Sequence, residues 1–171
     1  DLPALKGAPT LQRIVALARQ SLGVPVALLT MSDASVQHVL AVSDDDASLR
    51  QCALNLATMS RSSTGLLEIE DLAQELPQPD GTPDPAEQSQ ARFYAEMPVE
   101  LSGNSELAAL RIVDIVPRCL TPAECATFQA LAQLASSKIQ LLRKVGRRDA
   151  TTGLPNLQQM SADLVEHGAR K

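Results

Sequence analysis

Apolar residues recur at helical spacing at Leu11, Ile14, Val15, Ala18 and Leu22, and Gly23 followed by Pro25 closes the pattern where a C-cap belongs. The spacing predicts an amphipathic helix. Val24 to Met31 is a nearly unbroken apolar run, Asp33-Ala34-Ser35 supplies turn chemistry, and Val36 to Val42 alternates before the acidic Asp44-Asp45-Asp46. These runs predict a β-hairpin. Cys52 to Met59 has helical character, and Gly65 to Ile69 predicts a short strand ending at Glu70-Asp71. From Gln74 to Gln90 the chain is polar and carries Pro77, Pro79, Pro83 and Pro85, which continue neither a helix nor a sheet ladder, so a surface excursion is expected. Strand patterning resumes from Arg92 to Leu101, a turn is expected at Ser102-Gly103-Asn104, and Leu107 to Val116 predicts the other strand of a second hairpin.

The last helix has the best-marked start: Thr121 as N-cap, Pro122 at the first helical position and Glu124 in the capping-box place. Along it Phe128, Ala132, Ala135, Ile139 and Leu142 form one apolar stripe, and Leu131, Leu134, Leu141 and Val145 form a second beside it. A single sheet needs only one stripe of that width. Two readings follow. Either both stripes are buried within one chain against the first helix, or the chain is a homodimer through its terminal helices, with Phe128, Ala132, Ala135, Ile139 and Leu142 as the dimer and signalling face.

Length and charge narrow the class. The 171 residues allow one domain and a tail. A net charge of −5, with two Phe, one Tyr and no Trp, argues against a nucleic-acid partner, which needs a basic field and stacking platforms, and implies an aliphatic core. The basic cluster of Lys138, Arg143, Lys144, Arg147 and Arg148 suits the negative end of the last helix. No apolar run approaches the ~18–20 residues of a membrane span, so no membrane contact by this segment is expected and a cytoplasmic location is. The chain starts at Asp1 without Met, which leaves membrane attachment further upstream open. Cys52, Cys119 and Cys125 form no CxxC pair and have no nearby His, so reduced cysteines in or near the core are expected, with no metal site. Asp44 to Asp46 read as a solvated turn, since no Gly or later Glu completes a calcium loop.

Several strings carry a family resemblance. Gly23-Val24-Pro25-Val26-Ala27-Leu28-Leu29, Arg92-Phe93-Tyr94-Ala95-Glu96-Met97-Pro98-Val99, and Leu107 to Asp114 followed by Pro117-Arg118-Cys119-Leu120-Thr121-Pro122-Ala123-Glu124 resemble, in that order, the first strand, a later strand and the closing strand, loop and helix of GAF domains. The resemblance covers residues about 11 to 145, leaving 1–10 as an N-terminal extension. In the remaining 146–171, Asp149, Thr152, Gly153, Leu154 and Asn156 are in register with the entry segment of GGDEF domains, the family of diguanylate cyclases; Thr151 and Leu157 stand where Leu and Arg are usual. That segment resembles a linker and the truncated start of a GGDEF domain. The segment stops before any Gly-Gly-Asp-Glu-Phe signature could appear, so no catalytic residues and no enzymatic activity are expected of this chain.

The resemblance implies an α+β fold, an antiparallel sheet flanked by helices and related to the PAS architecture, with a long C-terminal signalling helix. It also implies a small-molecule pocket between one sheet face and the connecting segments. No cofactor is specified and the ligand is unidentified: there is no Asn-Lys-x-Phe-Asp-Glu string of the cyclic-nucleotide type, no Cys-His dipeptide of the bilin-attaching type, and no clear match to the cysteines of GAF-fold methionine sulfoxide reductases. Residues expected near the pocket are Cys52, Met59, Asp71, Arg92, Phe93, Tyr94, Met97 and Asp114. Of the neighbours Phe93 and Tyr94 only one is expected to point inward. Arg92 either meets a ligand carboxylate or phosphate or pairs with Asp71 or Glu96. The Pro-rich excursion reads as a lid or binding segment, or as disorder. The expected function is the sensory domain of a bacterial cyclic di-GMP signalling protein, passing a ligand or partner signal through its last helix and an Arg147–Thr152 hinge to a GGDEF-like output domain in cis. A ligand-free dimerisation module is the alternative; a small enzyme using Cys52 or Cys119 is a third, requiring an electropositive, partly exposed thiol.

Overall fold

The computed structural model describes residues 2–33, 36–43, 46–59, 65–75, 90–102 and 106–146. Most of the Pro-rich excursion, the 103–104 turn, Asp44 and Asp45, the Met59 side chain and the GGDEF-like segment lie outside the described residues. The elements are α1 (Leu2–Leu5), α2 (Pro9–Leu22), β1 (Val26–Asp33), β2 (Val36–Val42), α3 (Ala47–Met59), β3 (Leu67–Ile69), α4 (Leu72–Glu75), β4 (Phe93–Val99), β5 (Glu106–Asp114) and α5 (Pro122–Gly146). The strands form one antiparallel sheet in the order β2-β1-β5-β4-β3. Both expected hairpins are present, and β1 and β5 pair at its centre.

Local chemistry sets the ends of the helices. Gly23 takes the left-handed conformation at φ 62°, and its N–H caps the Arg19 carbonyl, so α2 stops before the Pro25 bend. Asp46 Oδ1 accepts the Leu49 N–H at 3.0 Å and starts α3, so the last of the three acidic residues is an N-cap. The Thr121 box closes in both directions: the Glu124 N–H donates to Thr121 Oγ1 at 3.3 Å, and the Thr121 N–H donates to Glu124 Oε2 at 2.8 Å.

Helices cover both faces of the sheet. On one, Ala27, Leu29, Met31, Phe93, Ala95, Met97, Leu110 and Ile112 pack against Leu11, Ile14, Val15 and Ala18 of α2 and Phe128, Ala132, Ala135 and Ile139 of α5. On the other, Val26, Leu28, Tyr94 and Val113 pack with Leu49, Cys52, Ala53 and Leu56 of α3. Phe93 and Tyr94 are therefore both fully buried, on opposite faces. The expectation that only one points inward assumed a sheet covered on one face; at these two residues both faces are covered. The first core also reaches Leu5 and Ala8, ahead of residue 11 where the unit was expected to begin.

The last helix resolves its two stripes, with one correction. Phe128, Ala132, Ala135 and Ile139 are buried and Leu142 is partly buried against the chain's own core, so the stripe expected to meet a second copy is occupied within the monomer. The reason is that α2 and one face of the sheet together present an apolar floor against which the 4-3-4-3 stripe packs. Leu131 of the second stripe joins this core, whereas Leu134, Leu141 and Val145 are exposed.

These two environments differ measurably. Ile139→Ala leaves a cavity and should lower the unfolding free energy by about 2–5 kcal/mol, while Leu141→Ala should change that of the monomer by less than about 0.5 kcal/mol; urea denaturation of the two variants, dilute enough to be monomeric, checks the assignment.

Candidate functional site

The face covered by α3 carries a polar cluster that sequence reasoning missed. Tyr94 and Glu96 are two apart on β4, Arg111 sits opposite Glu96 on β5, and Thr30 follows Leu28 on β1, so the period-2 alternation aims all four side chains at one face. All are buried. The Tyr94 hydroxyl donates to Glu96 Oε2 at 2.6 Å, and Arg111 Nε lies 3.0 Å from that oxygen and 3.1 Å from Tyr94 Oη. Arg111 Nη1 donates to Thr30 Oγ1. Burial pushes the Tyr94 phenol above its ordinary 10.0; Glu96 adds to the shift and Arg111 opposes it. The available signal was a charge inside each of two apolar strands, Glu96 in FYAEMPV and Arg111 in ELAALRIVD, both in phase with inward residues.

The residues expected around one pocket fall in three places. Cys52 and Tyr94 share the α3 face. Phe93 and Met97 lie on the opposite face, where Met97 borders a cleft of about 330 Å³ beside Pro98, Gln129, Gln133 and Ser136. Asp71, Arg92 and Asp114 meet at the end of the sheet beyond β3. Arg92 grips Asp71 through both Nε and Nη2, at 2.8 and 2.7 Å, so the salt-bridge alternative describes it. The Arg92 N–H donates to the Asp114 carbonyl at 2.8 Å, and the Asp114 carboxylate accepts from the Ile115 N–H at 2.7 Å and from Arg118 Nη1 at 3.3 Å. The expectation of one shared site fails because strand neighbours face opposite ways and because these three groups satisfy one another and the local backbone.

This rim is joined to the start of α5. Glu68 Oε1 on β3 accepts the Leu120 N–H at 2.6 Å, and the Arg118 N–H donates to the Glu70 carbonyl at 3.1 Å. The Arg118 side chain bonds the Leu22 carbonyl at 2.9 Å and pairs with Asp114 and Glu124, its guanidinium 5.7 Å from the centre of the Phe93 ring. One arginine thus fastens the end of α2, the end of β5 and the first turn of α5.

The cysteines differ from expectation in part. Cys52 is buried, Cys125 half-buried and Cys119 exposed. A hydrogen bond with Glu70, desolvation and the charge of Glu68 push the Cys119 thiol up, and burial does the same for Cys125. Cys119 therefore lacks the electropositive setting that the enzyme alternative requires. Among the described residues no group of three or more His, Cys, Asp or Glu is placed to hold a metal ion, and no helix is long and apolar enough to cross a membrane.

Solved structures share this architecture. The chain is similar to a GAF domain of a Synechocystis protein in its photoproduct state, with TM-score 0.64 and 14% identity over 80% of this chain and 95% of that one. It is also similar to the blue-light-absorbing PixJ GAF domain of Thermosynechococcus elongatus, with TM-score 0.58 and 16% identity over 92% of each chain. The chromophore-binding domain of a bacteriophytochrome from R. palustris aligns with TM-score 0.57 and 14% identity over 85% of this chain and 57% of that one. No protein-family model and no curated protein matches the sequence. The fold is that of a GAF domain, as the order of elements implied.

Two titrations follow from the site. Tyr94 is the sole tyrosine and there is no Trp, so absorbance at 295 nm reads it alone. The folded chain should show no tyrosinate as pH rises past 10.0, and the signal should appear when urea unfolds it; because the unfolded state loses this proton first, stability falls as pH rises beyond 10.0. At the acid end, hydrogen bonds from Arg92 hold the Asp71 carboxyl at about 2, below the ordinary 3.8. That contribution is complete above pH 3.8 and is lost as pH falls through about 2. Asp71→Asn should therefore give a flatter stability profile across that window, measured by urea denaturation at several pH values.

Proposed function

We propose that this chain is the sensory unit of a bacterial cyclic di-GMP signalling protein, in which a small-molecule ligand on the α3 face biases the start of α5 and α5 carries that bias to a GGDEF-like output domain. The observation that carries the reading is the exposed edge of α5. Leu134, Leu141 and Val145, exposed by 39%, 53% and 64%, run in line with the half-buried Lys138 at spacings of four, three and four. This is a coiled-coil seam with one polar position, and it leads toward Arg147, where the GGDEF-like segment begins. At 25 residues α5 spans about 37 Å, long enough to extend past the sheet. A second copy meeting this seam in parallel would set the two output domains side by side.

The Glu68–Leu120 and Glu70–Arg118 bonds supply the coupling. A ligand whose affinity differs between two positions of β3 shifts the first turn of α5 by that difference in free energy and no more. A ligand-free dimerisation module is the second reading. It is favoured by the side chains of Leu49, Cys52, Ala53 and Leu56, which share one aliphatic cluster with Tyr94.

Native mass spectrometry of the chain tests the dimer. The wild type should be dimeric and the Leu141→Lys/Val145→Lys variant a folded monomer with the wild-type circular dichroism spectrum, because neither position lies in the core. A monomeric wild type, or a variant that stays dimeric, rejects this interface.

A further inference from the structure

We infer that the cleft between the end of β4 and α5 is a binding site for a small organic ammonium, a site separate from any ligand on the α3 face. Strand β3 pairs with β4 only from Tyr94 to Glu96, so Met97 and Pro98 have no strand neighbour on that side among the described residues. The cleft opens there, with a volume of about 330 Å³, within the roughly 300–1,000 Å³ of small-molecule sites. Gly65 borders it and brings no side chain to fill it. On the opposite wall Gln129, Ala132, Gln133 and Ser136 recur at spacings of three, one and three, which is a single face of α5.

Burial separates the floor of the cleft from its mouth. Met97 and Ala132 are buried and Pro98 half-buried, whereas Glu100, Gln129 and Gln133 are exposed. The two serines on this wall are already engaged: Ser136 donates to the Glu100 carbonyl and accepts from Gln140 Nε2 at 3.2 Å, and Ser137 donates to the Gln133 carbonyl at 3.1 Å. The Glu100 carboxylate and the side-chain amides of Gln129 and Gln133 are not engaged; they make no hydrogen bond or ion pair among the described residues. Glu100 is also the one charged side chain among the described residues of the lining. An anionic ligand is therefore repelled. A neutral hydroxyl can bond the amides but gains nothing from the charge. An ammonium offers three N–H donors, one for the carboxylate and one for each amide oxygen, and an apolar body beside it covers Met97, Pro98 and Ala132. A ligand held in this way ties the middle of α5 to the end of β4, which the Ser136–Glu100 bond already joins.

Benzylamine, benzyl alcohol and benzyltrimethylammonium separate the contributions: an ammonium with N–H donors, a neutral isostere, and a cation without donors. Titration of each into the chain at neutral pH can be followed by NMR on the ¹³C-labelled methionine methyl groups. Met97 is one of four methionines, and its methyl signal, assigned by its loss in Met97→Leu, reports on the floor of the cleft. Benzylamine should shift that signal and bind about fivefold more tightly than either analogue, the scale of an exposed charge pair, with the advantage shrinking as salt is added. Glu100→Gln, a change at an exposed position, should fold normally and bring benzylamine down to the affinity of the alcohol. Equal binding of benzyl alcohol, or an advantage that survives in Glu100→Gln, overturns the assignment of the charge to Glu100. Equal binding of the trimethylammonium overturns the role of the N–H donors. A Met97 signal that none of the three moves overturns the site itself.

Discussion

Neighbouring residues on a β-strand point to opposite faces, and in this molecule both faces of the sheet are covered. Adjacent residues in the middle of β1, β4 and β5 are thereby divided between two interiors. One is aliphatic, closed by α2 and α5; the other lies under α3 and contains a buried ion pair with its hydroxyl partners. Phe93 and Tyr94 show the division most plainly: one ring packs in the first interior and receives the Arg118 guanidinium, and the other packs in the second and bonds Glu96.

The two interiors have different energetic characters. The α2 and α5 side gains by area removed from water, at roughly 25 cal/mol per Å² of apolar surface, and asks only that the volumes fit. The α3 side holds charges whose desolvation offsets much of their mutual attraction, so the Glu96–Arg111 pair is not chiefly a stabilising device. Its geometry is what it contributes: the guanidinium is held by Nε and Nη1 in one orientation.

Between the interiors lies the edge formed by β3, the Asp71–Arg92 pair and Arg118. Strand β3 is only three residues long and pairs only with β4, so its register with Tyr94, Ala95 and Glu96 is held by few bonds. Through Glu68 and Glu70 it is also bonded to the segment that opens α5. A short edge strand that borders the polar face and touches the start of the exit helix is a physical link between the two sides of the sheet. Arg118 keeps that link stiff by fixing the end of α2 and the capping residue Glu124 together.

The order of the longer elements, the double hairpin, the C-cap at Gly23 and the capping box at Thr121 were all legible in the sequence, because each rests on chemistry within a few residues, whereas the four-residue helices α1 and α4 were not. So was the division of α5 into two apolar stripes. Which stripe faced inward was not, since period alone cannot say where the floor lies, and the structure buries Phe128, Ala132, Ala135 and Ile139 while exposing Leu134, Leu141 and Val145. The site was less legible still. Cys52 and Tyr94 were named among the residues expected near a pocket, but Thr30, Glu96 and Arg111 come from three strands, Thr30 and Arg111 lying 81 positions apart, and only the antiparallel register brings them together. Helix and turn signals are local interactions written in adjacent residues; a buried polar cluster is a long-range contact, decided when the strands pair and both faces are covered.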